Sequence, residues 1–546
     1  MNFCSQLGRS LVLVVFSSSV SSQVLPPAID PAGQEQDLMR REQILRQREE
    51  LLEQTREQEE ETSVEAQSEL DEETFVLTSV RFSQSELLSE DELRSLVEPY
   101  IGQETGLSDL NRLVAAINGL YRQKGIFTAA ALLPQQEVDN GTVVIRLVEG
   151  QLGDVLVEGN SYVAEDFVEG WLNPAEGERL EDMNLLEVDI LRYNRVNDSR
   201  LQAELRAGKA FGLTDLVLRV DEVAQNNLQV FADNYGFESS GEEEVGAIYR
   251  RYGLISGADR AWVYALATEG NLAFSANYNA PLKASRWRLG STVSLNETEV
   301  VSGDFKDVSV EGSSNSISLE SSFLAHSATN RWINLLGTAY YSNSESTVAG
   351  EIISDYEIVR LDAGADFTWV GSGWQWSARQ MFGWVSTKNK AVADSDQDFM
   401  MLSGDSSIFY RLGASNWYGL AQFDYQYTDE DLIPGAVAYS MGGATSVRGY
   451  KAGFISGDSA FRLSLEAHYG GFQLFGGNVD AFLFYDAGKV YALDLTQPAQ
   501  AVGAGLGWSG GPGFSFTSTI AHPTEDVLPD QDDWVFYGRF SWNWSD

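Results

Sequence analysis

The sequence predicts a transmembrane antiparallel β-barrel of about 16 strands, preceded by two small βααββ modules and an N-terminal helix. Three observations carry that reading. Aromatic residues divide the chain: of its 13 tryptophans only Trp171 precedes residue 228, and tyrosine splits 4 against 18 at the same point. Acidic residues do not follow, at 42 before and 38 after, so the second part gains amphipathic rings without losing charge. A barrel needs both, because rings collect at its two interfaces while its interior stays polar. Second, that part alternates with period two. Third, no uninterrupted apolar run approaches the ~20 residues of a spanning helix, which excludes a helical bundle and leaves a barrel open.

Residues 1–22 read as a secretory signal, with Arg9 at the start, an apolar core over 11–16, and Val20-Ser21-Ser22 before Gln23. Cys4, the one cysteine, precedes that core and leaves with the signal, so a disulfide scaffold and thiol metal sites are excluded. Residues 23–61 form an N-terminal segment with a plug-like helix over 34–61. This stretch holds ten acids and five arginines, and its apolar stripe is thin: Leu38, Leu45 and Leu52, seven apart. Such a helix cannot bury much against a core. It would extend ~42 Å at 1.5 Å per residue, longer than the ~30 Å hydrocarbon layer. A charged helix of that length cannot touch lipid, so a water-filled lumen is where it is expected at rest, with Arg462 and Arg539 as candidate basic partners. The alternative is a solvated periplasmic helix. Residues 62–74 read as an acidic linker.

Two modules follow, at 75–150 and 151–223. The first predicts a strand over 75–82, helices over 90–100 and 108–124, and strands over 127–133 and 142–149. The second predicts a strand over 154–158, helices over 163–172 and 180–193, and strands over 201–206 and 215–220. The helix at 108–124 rests on the spacing of Leu110, Leu113, Val114, Ile117, Leu120 and Tyr121. Asp109, Glu181 and Asp182 lie in first turns, where negative charge suits the helix dipole. The two modules end alike, in Val-Val-Ile-Arg-Leu-Val-Glu and Leu-Val-Leu-Arg-Val-Asp-Glu.

Residues 228–546 supply the barrel. Leu463, Leu465, Ala467 and Tyr469 alternate with Arg462, Ser464, Glu466 and His468. The last segment sets Trp534, Phe536, Gly538, Phe540, Trp542 and Trp544 against Tyr537, Arg539, Ser541 and Asn543. Period two puts such sets on opposite faces of a strand, and charges on the second face need a watery lumen. The same alternation runs through Leu272, Phe274, Ala276 and Tyr278, and by twos from Trp417 to Tyr427.

The strongest local motif is Gly443-Ala444-Thr445-Ser446-Val447-Arg448-Gly449-Tyr450. Glycines flank Arg448, so the backbone can turn tightly and present a rigid guanidinium fork. Its candidate partner is Asp486 in Phe484-Tyr485-Asp486-Ala487-Gly488. Phe482, Phe484 and Asp486 share a face; Asp486 cannot face lipid cheaply, so that face is the lumen and Leu483 and Tyr485 point outward. A loop folded back into the lumen would bring Arg448 to Asp486; an ordinary outer-loop arginine and an ordinary lumen aspartate remain the alternative.

The layout and these two motifs resemble the two-partner secretion transporters, the haemolysin and filamentous-haemagglutinin secretion-activation family. These belong to the superfamily of outer-membrane assembly and translocation barrels. The resemblance implies that the modules are POTRA domains in the periplasm and that the barrel has 16 strands in the outer membrane. It implies that Val447, Arg448, Gly449 and Tyr450 form the loop-six tip, with Phe484, Asp486 and Gly488 as the paired barrel-strand motif. The implied function is translocation of an unfolded exoprotein partner, an adhesin or haemolysin-like protein, to the cell surface without ATP. Other implied partners are outer-membrane lipid and the barrel-assembly machinery. The alternative is an insertase of the same superfamily. Members commonly end on an aromatic residue, whereas this chain ends Trp544-Ser545-Asp546.

Other classes are less well served. The net charge, 37 − 80 = −43, argues against nucleic acid. No P-loop is present, so neither a nucleotide nor another cofactor is expected. Gly507-Trp508-Ser509-Gly510-Gly511 fits G-x-S-x-G, but Phe514-Ser515-Phe516 reads as strand where a nucleophile elbow needs a helix. Asp394-x-Asp396-x-Asp398 begins like a calcium loop, yet Phe399 stands where that loop needs glycine. His326, His468 and His522 are too scattered for a metal centre. No catalytic or metal-binding residues are expected.

Overall fold

Sixteen antiparallel strands close into a barrel, from Asn226–Asp233 to Val535–Ser545, and these two pair with each other from Arg539 opposite Asp233 to Ser545 opposite Asn227. The computed structural model describes residues 27–62 and 75–546, apart from 86, 125–128, 135, 137, 139, 150, 173–182, 208, 210–212, 304, 393–394, 414, 494 and 528–530. The expected signal at 1–22 with Cys4, residues 63–74 of the expected linker, Phe127, Glu181, Asp182 and Asp394 lie outside the described residues.

Alternation sorts the wall as period two requires. Arg462, Ser464, His468, Phe482, Phe484 and Asp486 are buried toward the interior, while Leu465, Leu483 and Tyr485 are exposed outside. The closing strand does the same, with Trp534, Phe536, Phe540 and Trp544 exposed and Tyr537 and Ser541 buried. Ser509 lies in the strand Leu495–Gly510, and the chain turns directly into Phe514–Pro523. The strand–turn–helix of a nucleophile elbow is therefore absent there.

Before the barrel stand two three-stranded sheets of one plan. In the first, Thr142–Glu149 is central, parallel to Ser79–Phe82 and antiparallel to Ala129–Leu132. In the second, Leu213–Asp221 is central between Gln151–Glu158 and Arg200–Ala207. The helix Leu107–Gln123 buries Leu110, Leu113, Ile117 and Tyr121 in the first module's core. The expected strand over 75–82 is interrupted, as Phe75–Val76 pairs with Glu104–Thr105 instead of with the main sheet.

Two expected helices are shorter in the structure. The one expected over 90–100 runs Glu90–Val97 and tightens into a 3-10 turn, Glu98–Tyr100, because Pro99 has no N–H to continue the ladder. In the second module the helix expected over 163–172 is Glu165–Glu169, and Met183–Val196 follows. Ser89 caps Glu90–Val97 reciprocally with Glu92. The Lys124 ammonium and the Ser89 amide hold the Glu92 carboxyl down at about 2, below its ordinary 4.5. This cap therefore contributes fully above the ordinary value and is lost as pH falls toward 2.

The second module seats on the barrel's turns. Arg195 lies over the Trp332 ring at 3.5 Å, and Asp198 meets Arg260 at 2.8 Å and Arg288 at 3.3 Å. The turns after Glu244–Tyr252, Asn271–Pro281 and Val310–Ala328 thus face the modules. Counting outward from there, residues 429–458 form the sixth loop at the opposite rim.

A closed barrel resists detergent until heated, so the unheated protein should migrate ahead of the boiled protein on a gel; a missing shift would contradict closure. Leu483→Arg puts a charge against lipid at a cost of up to about 2–4 kcal/mol. It should shrink the fast-migrating fraction, and Leu483→Phe should not.

Candidate functional site: the loop tip and the helix inside the barrel

Residues 429–458 do not stand away from the rim. They turn inward, pair as a small ribbon, Tyr439–Met441 with Ile455–Gly457, and lower the tip onto the strands Ser459–Leu474 and Gly477–Ala492. Gly442, Gly443 and Gly449 carry the turn at φ of +106°, +90° and +95°.

The turn delivers Arg448 to Asp486. Arg448 Nε donates to Asp486 Oδ2 at 2.7 Å and Nη2 to Oδ1 at 2.8 Å, while the Arg448 backbone N–H donates to Oδ2 at 3.0 Å. Ser464 Oγ bridges, accepting from Arg448 Nη2 at 3.1 Å and donating to Asp486 Oδ1 at 2.7 Å. The guanidinium lies 3.6 Å over the Phe484 ring. Side-chain exposure is 4% for Arg448 and 0% for Asp486. Removing either partner would strand a buried charge at a cost of about 3–5 kcal/mol.

The other motif residues have equally local reasons. A Cβ on Gly488 would come within 2.6 Å of Met441 Cε, so that glycine leaves room for the folded loop. Val447 is buried with Val490, Ala499 and Ala501. Tyr450 Oη donates toward the Gln500 and Glu525 carbonyls, both at 3.0 Å, and its own carbonyl accepts from Tyr537 Oη at 2.6 Å.

The second occupant is the helix Pro31–Thr62, three residues longer at its start than expected and one longer at its end. Asn296 Nδ2 donates to the Pro31 carbonyl at 2.9 Å, and Ser314 donates to Glu35 at 2.7 Å, as does Ser316. Arg41 pairs with Glu244 at 2.8 Å, Arg48 with Glu466 at 3.1 Å, and Glu42 with Arg539 at 3.4 Å. These residues lie on five strands spread around the closed barrel, and a single helix reaches them all only from inside the lumen. Leu38 packs against Phe231, Ile248 and Tyr264.

One expected partner is corrected. Arg539 does meet the helix, but Arg462 does not: it pairs with Asp424 at 2.5 Å and donates to the Thr445 carbonyl at 2.6 Å, bracing the loop. The helix enters mainly through its own cations, for Arg40 also donates to the Ser440 carbonyl at 2.6 Å. The reason is an uneven charge distribution along the helix. Seven of the ten acids over 34–61 lie at or after Glu49, whereas four of the five arginines precede it. The stretch that makes the described lumen contacts is therefore net basic.

Two residues with a larger place here than their sequence suggests are Glu466 and His468. Glu466 receives Arg48 from the helix, Arg448 from the loop at 2.6 Å, and His468 at 2.8 Å. His468 also reaches Asp480 at 2.7 Å and is stacked between the Tyr418 and Phe482 rings, at 4.5 and 4.7 Å. Their signal was the polar side of 462–468, which marks a lumen face without saying who meets on it. No group of three or more His, Cys, Asp or Glu side chains placed to hold a metal occurs among the described residues. A cavity of about 1280 Å³ remains beside the helix, with Arg250, Arg411, Arg462 and Arg539 on its walls.

Comparison with known proteins agrees with this architecture. Residues 75–150 match the POTRA domain of ShlB type, and 212–510 match the haemolysin secretion/activation protein family ShlB/FhaC/HecB. Among relatives, the heme/hemopexin transporter protein HuxB of Haemophilus influenzae is 26% identical over 82% of this chain and 83% of its own length. The outer membrane transporter CdiB of Dickeya dadantii is 22% identical over 78% of each. Among solved structures, CdiB from Escherichia coli superimposes with a TM-score of 0.64 at 20% identity, covering 96% of this chain and all of that one. BamA from Haemophilus ducreyi, lacking POTRA domains 1–3, gives 0.59 at 14% identity over 86% of this chain and all of that one. The chain belongs to the haemolysin secretion/activation family ShlB/FhaC/HecB: it is a two-partner secretion transporter of the outer membrane, with POTRA structure on the periplasmic side, that moves a secreted exoprotein partner to the cell surface.

Proposed function

We propose that the helix Pro31–Thr62 closes the pore at rest and that the tip motif, Val447 to Tyr450 on Phe484, Asp486 and Gly488, sets the loop in its working position. The observation that carries this is the occupancy of one lumen by two polar pieces of chain, both ending on Glu466. The exoprotein, adhesin or haemolysin-like, arrives unfolded in the periplasm, where residues 75–150 and 151–223 act as two POTRA domains. A module edge takes an extended segment by strand addition, with backbone bonds supplying the affinity. The helix then withdraws on its tether, and the segment follows the arginine-bearing walls outward. Folding at the surface makes return unfavourable, so ATP is not required.

Withdrawal is feasible because the helix is held by polar contacts and little apolar area. Leu38 is its one deeply buried leucine among those described, and the acid-rich half beyond Glu49 suits water. The barrel-assembly machinery would insert this barrel. Asp546 accepts from the Asn226 backbone N–H at 2.8 Å, tying the last strand to the first.

Deleting residues 34–61 should raise the conductance of the purified protein in a planar bilayer while secretion persists at least in part. Unchanged conductance at equal insertion would contradict the plug. Arg448→Ala and Asp486→Arg should each nearly abolish secretion while the gel shift of the folded barrel remains; normal secretion by both variants would remove the tip from the mechanism.

A further inference from the structure

The two modules present four sheet edges, and the structure treats them unequally. In the first, Leu147 of the central strand exchanges both backbone groups with the Ser83 side chain, at 2.6 and 2.9 Å. Leu147 therefore faces away from its partner Ala131, whose own N–H and C=O must point to the outer edge of Ala129–Leu132. The Asn118 amide takes both: its Oδ1 accepts from Ala131 N–H at 2.7 Å and its Nδ2 approaches the carbonyl at 3.4 Å. Beyond Leu132 the Gln136 amide repeats the device on Val144, at 2.7 and 2.8 Å. A side-chain amide thus occupies the place of a further strand.

The second module uses the same device. Asn194, on its longer helix, accepts from Leu201 N–H at 2.7 Å and donates to the Leu201 carbonyl at 3.0 Å, covering the edge of Arg200–Ala207. The other edge, Gln151–Glu158, is broken by a register shift between Leu152 and Val155, and such irregularity blunts an edge.

Ser79–Phe82 is left. It pairs with Thr142–Ile145 without a break, and no strand lies on its other side among the described residues. Ser79 and Ser83 donate inward, to the carbonyls of Gly141 and Ile145, both at 3.3 Å. By period two, Val80 and Phe82 direct their N–H and C=O groups outward. The Val80 and Phe82 side chains lie against the module core, while Arg81 is exposed on the opposite face.

We propose that Ser79–Phe82 is the edge to which the exoprotein adds, as a strand whose residues alternate between apolar, beside Val80 and Phe82, and acidic or polar, beside Arg81. The inference rests on capture by strand addition and names the edge that performs it. Two outward peptides make a short, reversible grip, which suits a substrate that must move on. The Asn118 and Asn194 amides keep that substrate, and other chains, off the opposite side of each module.

The test uses the full-length transporter in cells and the polypeptide that disappears from the medium when the transporter is deleted. A photo-reactive benzoylphenylalanine in place of Arg81 should cross-link to that polypeptide during export, and the same group in place of Leu132 should not. Independently, Val80→Pro removes an outward N–H that a proline-tolerant edge can spare for its own fold. It should reduce secretion at least tenfold with the barrel's gel shift intact, whereas Val80→Ala, which keeps the N–H, should secrete normally. Cross-linking at Leu132, alone or together with Arg81, overturns the edge assignment and leaves strand addition standing. No cross-link at either position, with Val80→Pro secreting normally, overturns strand addition itself.

Discussion

A guanidinium taken out of water must find its counter-charge and acceptors where it stops, and the outer half of this molecule is organised by where Arg448 stops. Asp486 supplies two oxygens, Ser464 and Glu466 supply others, and Phe484 supplies a ring face. That set exists only if neighbouring strands hold register, because Ser464 lies opposite Asp486 and Glu466 opposite Phe484 across one ladder. It is reached only if thirty residues of loop fold inward. Gly488 gives the loop its clearance and Gly449 its left-handed turn. A loop so held becomes part of the lumen wall.

The helix depends on the same wall. Its arginines reach Glu244 on one side of the barrel and Glu466 on the other, and Glu466 is shared with the loop tip. A carboxylate with two cationic partners couples them, since withdrawing either changes the field at the other. Because polar contacts dominate, water can replace them at modest net cost in the withdrawal proposed above. A broad apolar interface would have made a tighter stopper and a poorer gate.

Much of this was legible in the chain because a strand's period of two is strict. Asp486 placed inside forces Leu483 and Tyr485 outside, and they are there. Length divided by strand size anticipates sixteen strands for the same reason. The meeting of Arg448 with Asp486 was not legible from local pattern, since it depends on the path of a long loop; the paired motifs carried it through family resemblance. Pro99 shortened a helix that apolar spacing alone would continue. The helix's partners were misjudged by summing charge over 34–61, when the described lumen contacts come from the net-basic stretch before Glu49. His468 shows a related limit: scattered histidines give no reason to expect a metal centre, yet one of them still joins Glu466 to Asp480.

The central claim is that Asp486 holds the tip inside the barrel, and accessibility measures this directly. Ser446, two residues before the arginine, is buried. A Ser446→Cys variant, in a Cys4→Ser background, should resist a membrane-impermeant maleimide added to intact cells. The same cysteine should label readily once Asp486→Ala frees the loop. Equal labelling in the two backgrounds would contradict the account.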